Sequence, residues 1–220
     1  MRRIKVKRFF KLFHSIYICV KQHFMLGLKM ATDPRWVNIV EDNIKEILID
    51  HAFCEQKAAS NAISMIVQYP HRPDLVSAMV EICKEEMEHF DMVHKKILER
   101  GFNLGFERKD PYVKDLHEYL KKNHDNSSIE SHFVNQMLFA AMIEARSCER
   151  FKILSEQLTD KDLKDFYRML MESEARHFMT FLRFAKKYSS TIDVDERWKT
   201  FLAFEASLMS KYGKEETMHG

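Results

Sequence analysis

The sequence predicts an all-α fold, a bundle of long helices followed by one extra helix. Its 220 residues include only 5 glycines and 4 prolines, fewer than the roughly 7% and 5% of average usage. The chain is 45% hydrophobic and 31% charged, a globular composition. Apolar residues recur at steps of three and four over several long stretches. These observations predict one helical domain with a sizeable core, which we place at residues 30–213.

The first two long helices are predicted to form a hairpin. Asp33-Pro34 is a helix start, because proline is tolerated in the first turn, and the apolar stripe behind it continues to about Tyr69. Prolines end that helix, and Asp74 is expected to cap the next one. The second stripe continues to about Arg100, where Gly101 is a natural stop.

A long polar connection, residues 101–129, separates this hairpin from a second one. It contains Asp110-Pro111 as the start of a short helix. The third helix is predicted from about Ile129 to Leu158, and Thr159 or Asp160 caps the fourth. A fifth helix covers about residues 194–212. Two helical hairpins joined by one long crossover are typical of a ferritin-like four-helix bundle, here with an extra C-terminal helix.

Two Glu-x-x-His steps, Glu86/His89 and Glu174/His177, lie on the apolar stripes of the second and fourth helices. Residues three apart share one face of a helix. Burying such polar pairs is costly unless something neutralises them. Two buried pairs on two helices therefore indicate a metal centre.

The first and third helices are expected to supply one glutamate each. Glu55 is level with Glu86 when residues are counted from the turn of the first hairpin, at about 1.5 Å of rise per residue. In the second hairpin Glu144 is level with Glu174, whereas Glu149 misses by five residues. We favour Glu144, although Cys54-Glu55 and Cys148-Glu149 are similar strings that would favour Glu149.

The predicted ligand set is therefore Glu55, Glu86, His89, Glu144, Glu174 and His177. Carboxylates with some imidazole suit iron or manganese better than zinc. Asp50, His51, Arg146 and Glu149 are expected to lie just outside the ligands and to orient them. Glu85 and Glu88 flank Glu86 off the stripe and are interpreted as solvated acids.

Several strings around these residues resemble the bacterial tRNA-(2-methylthio-N6-isopentenyladenosine) hydroxylases, called MiaE. They are the strings at residues 50–59, 85–90 and 173–177, Arg100-Gly101, and 143–151 with its Glu-Ala-Arg-Ser-Cys-Glu-Arg run. The resemblance covers about Asp33 to Tyr188. It implies a non-haem di-iron monooxygenase with two iron ions and O₂ as co-substrate. The implied substrate is the prenyl side chain of a modified adenosine beside the anticodon of tRNA.

The same resemblance implies two kinds of partner, the tRNA anticodon stem-loop and an unidentified reductase that supplies electrons. Composition alone does not indicate RNA binding. The weak candidates for RNA contact are Lys95, Lys96, Arg100, Arg108 and Lys109. Phe102, Phe106 and Tyr112 in the 101–129 connection are expected to belong to that surface, since single-stranded bases stack on aromatic rings.

Residues 1–29 form a basic extension whose native status is open, with Met25 or Met30 as alternative starts. They hold eight of the 35 Lys and Arg residues and no acid, which leaves 27 basic and 33 acidic residues in the remainder. An apolar stretch here is too short and too charged to span a membrane and lacks a cleavage site. With four scattered cysteines interpreted as free thiols, we expect a cytoplasmic monomer or dimer without a membrane contact. Residues 214–220 are expected to be a polar tail.

Two other functions compete with an RNA hydroxylase. A ferritin-type protein that stores or detoxifies iron would use the same ligands but assemble into a shell. A purely structural bundle would instead close its Glu/His pairs with Arg146, Arg150 or Arg176. Metal content separates the structural bundle from the other two.

Overall fold

The structure, a computed structural model, describes residues 24–123, 128–212 and 217–219. Most of the basic extension, with Cys19, lies outside these ranges. The described residues contain a 3-10 turn at Phe24–Gly27, seven α-helices and no strand. The helices are α1 Trp36–Asp42, α2 Ile44–Gln68, α3 Pro73–Glu99, α4 Pro111–Asn123, α5 Ile129–Gln157, α6 Lys161–Lys187 and α7 Val194–Met209. None of these helices is long and apolar enough to cross a membrane.

Four helices form the bundle. α2 packs along α3, α5 packs along α6, and the α3–α6 contact joins the two hairpins. The crossover between the hairpins carries α4, which lies against α5 and α7. The predicted ferritin-like four-helix bundle with an extra helix is confirmed.

The first predicted helix is divided into two, α1 and α2. The stripe from Asp33 to Tyr69 was expected to be continuous, but the backbone turns at Asn43 (φ −133°, ψ 37°) between α1 and α2. The Asn43 side chain donates to the carbonyl of Ile39 at 2.9 Å, and its N–H bonds to the carbonyl of Val40. Asparagine competes for backbone groups in this way, which is why it ends helices that periodicity alone would continue.

The other helix ends follow local chemistry. Asp160 caps α6 by accepting from the N–H groups of Asp162 and Leu163. Gly101 (φ +73°) ends α3 in a Schellman motif, with its own N–H on Leu98 and that of Phe102 on Ile97. Asp74 is not a cap as expected. It lies in the first turn of α3 behind Pro73, and its carboxylate binds Lys187 and Tyr188.

Residues near both limits of the described part of the chain contribute to the packing, which differs from the expected domain limits. Leu28, placed in the extension, is buried in the same core cluster as Leu202. Thr217, Met218 and His219, placed in the polar tail, are at most 8% exposed. The packed domain therefore extends beyond residues 30–213 on both sides.

Candidate metal centre

Six side chains meet near the middle of the four long helices. Their ligand atoms form two groups, within each of which all atoms lie within 4.8 Å of one another. One group is Glu55, Glu86, His89 and Glu174, and the other is Glu86, Glu144, Glu174 and His177. Glu86 and Glu174 belong to both groups. The structure thus brings together all six residues predicted as ligands, and Glu149 is in neither group.

Helical periodicity places these polar groups in the interior. On α3 the buried residues follow steps of three and four, and Glu86 and His89 occupy two steps of an otherwise apolar stripe. On α6 Glu174 and His177 occupy the corresponding steps. All six residues are at most 6% exposed, so their charges are largely removed from water.

The potential ligand atoms lie close together, but several of them make no hydrogen bond with one another. His177 Nδ1 lies 2.8 Å from Glu86 Oε1, yet neither atom makes a hydrogen bond of acceptable geometry, and Glu174 Oε1 also has none among the described residues. Buried polar atoms are rarely left in this state. Such convergence is what metal coordination requires, and four carboxylates balance the charge of two divalent ions. The residues present therefore fit a two-metal site.

The crowding of buried charges shifts the pKa values of the cluster in the metal-free protein. Burial, reinforced by the neighbouring Glu174, raises the pKa of Glu144 well above its usual value. Burial alone would lower the pKa of His89, but Glu55 and Glu86 outweigh it and raise the pKa to about 10. The pKa of His177 is raised in the same way by its carboxylate partners. Protons thus compensate the buried carboxylates in the metal-free protein.

Glu85 is a functional residue that the sequence interpretation missed. His177 Nε2, the ring nitrogen away from the cluster, lies 3.0 Å from Glu85 Oε2, which also accepts from Ser173 and Arg176. The hydrogen bond with His177 lowers the pKa of Glu85 to about 2, so it is a carboxylate. Such a partner fixes the orientation of a ligating histidine. Glu85 lies off the apolar stripe of α3 and its partners lie on α6, so the sequence pattern of α3 did not indicate this role.

Of the four residues expected to orient ligands, His51 contacts the cluster. His51 Nε2 lies 2.6 Å from Glu55 Oε1, and its ring packs against Phe151 and Tyr167. Burial lowers the pKa of His51 to about 3, so the ring is neutral. It therefore acts on Glu55 as a hydrogen-bond partner and not as a cation.

The other three are held by different partners. Arg146 donates to Glu149 at 2.9 Å and binds Glu205, and Glu149 accepts from both the N–H and the hydroxyl of Thr32. Asp50 accepts from the N–H of Met218 at 2.6 Å. These hydrogen bonds of Asp50, Arg146 and Glu149 therefore go to groups other than the six predicted ligands.

The arginines do not close the Glu/His pairs. The hydrogen bonds of Arg150 and Arg176 within the described residues go to the Thr217 carbonyl and to Glu85, Ser173 and the Glu172 carbonyl. Arg146 is bound to Glu149 and Glu205. The hypothesis of a purely structural bundle therefore lacks the arginine counter-ions that it requires for the cluster.

A cavity of about 160 Å³ reaches the cluster between α2, α4, α5 and α6. Glu144 is part of its wall, and the apolar lining includes Ala58, Phe139, Ile143 and Phe181. Asp110 and His219 supply polar atoms. A cavity of about 150 Å³ can hold a molecule the size of benzene, so this one has room for a group of that size beside Glu144.

The candidate RNA-binding residues divide into two sets. Lys95, Lys96 and Arg100, near the end of α3, form ion pairs with Asp91, Asp162 and Asp160. Arg108 and Lys109 directly precede Asp110 of the cavity wall, and Lys109 is exposed. The three aromatic residues also differ, and Phe102 is half-buried against the core cluster that contains Phe151. Phe106 is 92% exposed, whereas Tyr112, expected at the RNA surface, is fully buried and donates to Glu205.

Comparisons with known proteins agree with this geometry. A family model described as tRNA-(MS[2]IO[6]A)-hydroxylase (MiaE) matches residues 18–220, so its match begins inside the basic extension. Two relatives are named tRNA 2-(methylsulfanyl)-N(6)-isopentenyladenosine(37) hydroxylase. The one from Pseudomonas putida is 33% identical over 87% of this chain and 91% of its own. The one from Salmonella typhimurium is 26% identical over 87% of each.

A solved structure has a similar fold. It is described as a protein from Synechococcus with aldehyde deformylating oxygenase activity. It is 31% identical, with a TM-score of 0.77 over 88% of this chain and 95% of the other. The ferritin-like bundle found here is thus shared with an oxygenase.

Proposed function

The chain belongs to the MiaE family of tRNA hydroxylases, and on that premise we propose that it hydroxylates the isopentenyl side chain of the modified adenosine next to the tRNA anticodon. The reaction inserts one oxygen atom of O₂ into a C–H bond and reduces the other to water, with two electrons and two protons. The observation that carries the proposal is the pair of overlapping ligand groups beside an apolar cavity.

We assign the six residues to two metal ions according to the two groups. Glu55 and His89 would hold one ion and Glu144 and His177 the other, and Glu86 and Glu174, which belong to both groups, could contribute to either. Hard carboxylate oxygens with one imidazole per ion favour iron or manganese over zinc, and the family relationship favours iron. Two iron ions held there supply the activation of O₂.

The protein's own groups position the reactants. Glu85 and His51 fix His177 and Glu55 by hydrogen bonds on the sides away from the cluster. The apolar cavity wall excludes water and holds the prenyl group next to Glu144. This arrangement raises the local concentration of the C–H bond at the site where oxygen is activated.

Two partners follow from this function. The tRNA anticodon loop must present its modified adenosine to the cavity, and a reductase must deliver the electrons. We place the protein in the cytoplasm with its tRNA substrate, as a monomer or dimer. Iron storage is not favoured, because the relatives are named as hydroxylases.

The proposal is tested with the purified protein loaded with ferrous iron. It is mixed with a chemical reductant, isotopically labelled O₂ and an anticodon stem-loop that carries the prenylated adenosine. Digestion to nucleosides should yield a product heavier by one labelled oxygen atom, and a stem-loop with plain adenosine should yield none. A protein that takes up iron and consumes ferrous ions in many equivalents without hydroxylating RNA would contradict the proposal.

A further inference from the structure

The segment Thr217–His219, which we call the closing segment, is anchored by two buried charges. The N–H of Met218 donates to Asp50 at 2.6 Å, and Arg150 donates to the carbonyl of Thr217 at 2.9 Å. Asp50 is 5% exposed and Arg150 is fully buried. A buried charge is costly unless it is hydrogen-bonded. For both side chains, these are the hydrogen bonds found among residues 24–123, 128–212 and 217–219.

The same anchors join the closing segment to the helices that carry the metal ligands. Asp50 lies five residues before Glu55 on α2, and Arg150 lies six residues after Glu144 on α5. Met218 is fully buried in the core cluster that contains Ile47 and Phe151. The closing segment therefore packs against the helices that carry Glu55 and Glu144, about one and a half helical turns from these ligands.

The imidazole of His219 is fixed on the cavity wall. Its Nε2 lies 2.9 Å from the hydroxyl of Ser147, and its ring lies parallel to Tyr112 with centroids 6.4 Å apart. The other ring nitrogen, Nδ1, lies 3.5 Å from Cys54 Sγ and 3.7 Å from Asp110 Oδ2. Both ring nitrogens thus have protein neighbours, and those of Nδ1, Cys54 and Asp110, line the cavity together with His219.

Asp110 is suited to accept a hydrogen bond. Burial alone would raise its pKa, but the interaction with His219 and the N–H of Val113 lower it below the usual value. The cavity therefore has an apolar part formed by Phe139, Ile143 and Phe181 and a polar part to which Asp110, His219, Lys57 and Asn61 contribute.

We propose that His219, with Asp110, forms a subsite for the polar edge of the modified base, so that the closing segment positions the substrate. This proposal rests on the proposed function. A prenylated adenine has an apolar chain, an N6–H donor and adjacent ring nitrogens that accept. The chain enters the apolar part of the cavity, Asp110 accepts from the N6–H, and the imidazole donates to a ring nitrogen. In this role His219 contacts the substrate base directly, and it belongs to neither of the two ligand groups.

The test measures binding apart from turnover. Anaerobic, iron-loaded protein is titrated with two fluorescent anticodon stem-loops, one with the prenylated adenosine and one with plain adenosine. The wild-type protein should bind the prenylated one more tightly. Because the prenyl chain is what holds the edge of the base at His219, the plain stem-loop does not use the subsite. His219→Ala should therefore reduce this preference about tenfold, as the loss of about one hydrogen bond to the prenylated base implies. His219→Asn keeps a polar atom near the position of Nδ1 and should restore part of it.

The controls separate positioning from folding and from the proposed function. His132→Ala removes an exposed histidine of α5 and should change nothing. Ferrous iron content, thermal unfolding and affinity for the plain stem-loop should stay within twofold of wild type in His219→Asn. Unchanged preference in folded His219→Ala overturns the subsite, whereas a wild-type protein that binds but never hydroxylates the prenylated RNA overturns the proposed function instead.

Discussion

At the scale of single residues, the two glutamates of α5 that compete as ligands have different surroundings. Glu144 shares a ligand group with Glu86, Glu174 and His177, whereas Glu149 is bound by Arg146 and Thr32. We expect Glu144→Gln to lose about half of the bound iron. Glu149→Gln should keep its iron but lower the free energy of unfolding by about 1–3 kcal/mol, because Arg146 loses a charged partner.

Iron analysis and urea unfolding of the two variants check this prediction. Both substitutions are isosteric and lie on the same helix, so each is the control for the other. Full iron content in Glu144→Gln together with iron loss in Glu149→Gln would reverse the assignment and support the alternative suggested by the similar strings Cys54-Glu55 and Cys148-Glu149.

Glu85 provides a second prediction at this scale. Because its carboxylate binds His177 Nε2, Glu85→Ala should weaken iron binding about 10–100-fold without removing a ligand. Glu88→Ala, three residues away and exposed, is the matched control and should bind iron like the wild type. Competition with a chelator gives both affinities. Equal affinities would mean that the orientation of His177 does not depend on Glu85.

At the scale of helices and connections, helical periodicity predicts from the sequence which side chains are buried. It does not predict contacts between residues that are far apart in the sequence. The stripes of α3 and α6 place Glu86, His89, Glu174 and His177 inside, because one helical step fixes one face. The partner of Glu85 and the burial of the closing segment depend on contacts between distant parts of the chain. No local pattern encodes such contacts.

The connection between α3 and α4 carries a prediction for RNA binding. Phe106 is 92% exposed and is followed shortly by Lys109, next to Asp110 of the cavity wall. If an anticodon base stacks on this ring, Phe106→Ala should weaken stem-loop binding by about 1–3 kcal/mol, or roughly 5–100-fold. Val67→Ala removes another exposed apolar side chain and is the control. Both variants should fold normally, and equal affinities would remove Phe106 from the RNA surface.

At the scale of the whole molecule, four packed helices hold a cluster of buried charges beside a cavity. The bundle tolerates it only if protons or metal ions balance the carboxylates. The helical packing and the site are therefore thermodynamically linked, and metal binding must release the protons that the metal-free cluster holds.

This linkage predicts that the stability of the metal-free protein and its affinity for iron change in opposite directions with pH. In the metal-free protein the pKa of His89 is about 10, above the 6.5 of a free histidine. Its stabilising contribution is complete below pH 6.5 and is lost as the pH rises through about 10. The raised pKa of Glu144 acts in the same direction. The free energy of unfolding of the metal-free protein should therefore fall between pH 6.5 and 10, whereas the iron affinity should rise because fewer protons must be displaced.

Urea unfolding of the metal-free and the anaerobic, iron-loaded protein at several pH values in this window measures the effect. The stabilisation by iron, taken as the difference between the two forms, should grow with pH. The Glu86→Gln variant, which removes a carboxylate from both ligand groups, should show a weaker decline in its metal-free form, because His89 and His177 lose a shared acceptor. If the metal-free wild-type protein instead gains stability toward pH 10, the buried cluster is not held together by protons and the proposed balance of charges is wrong.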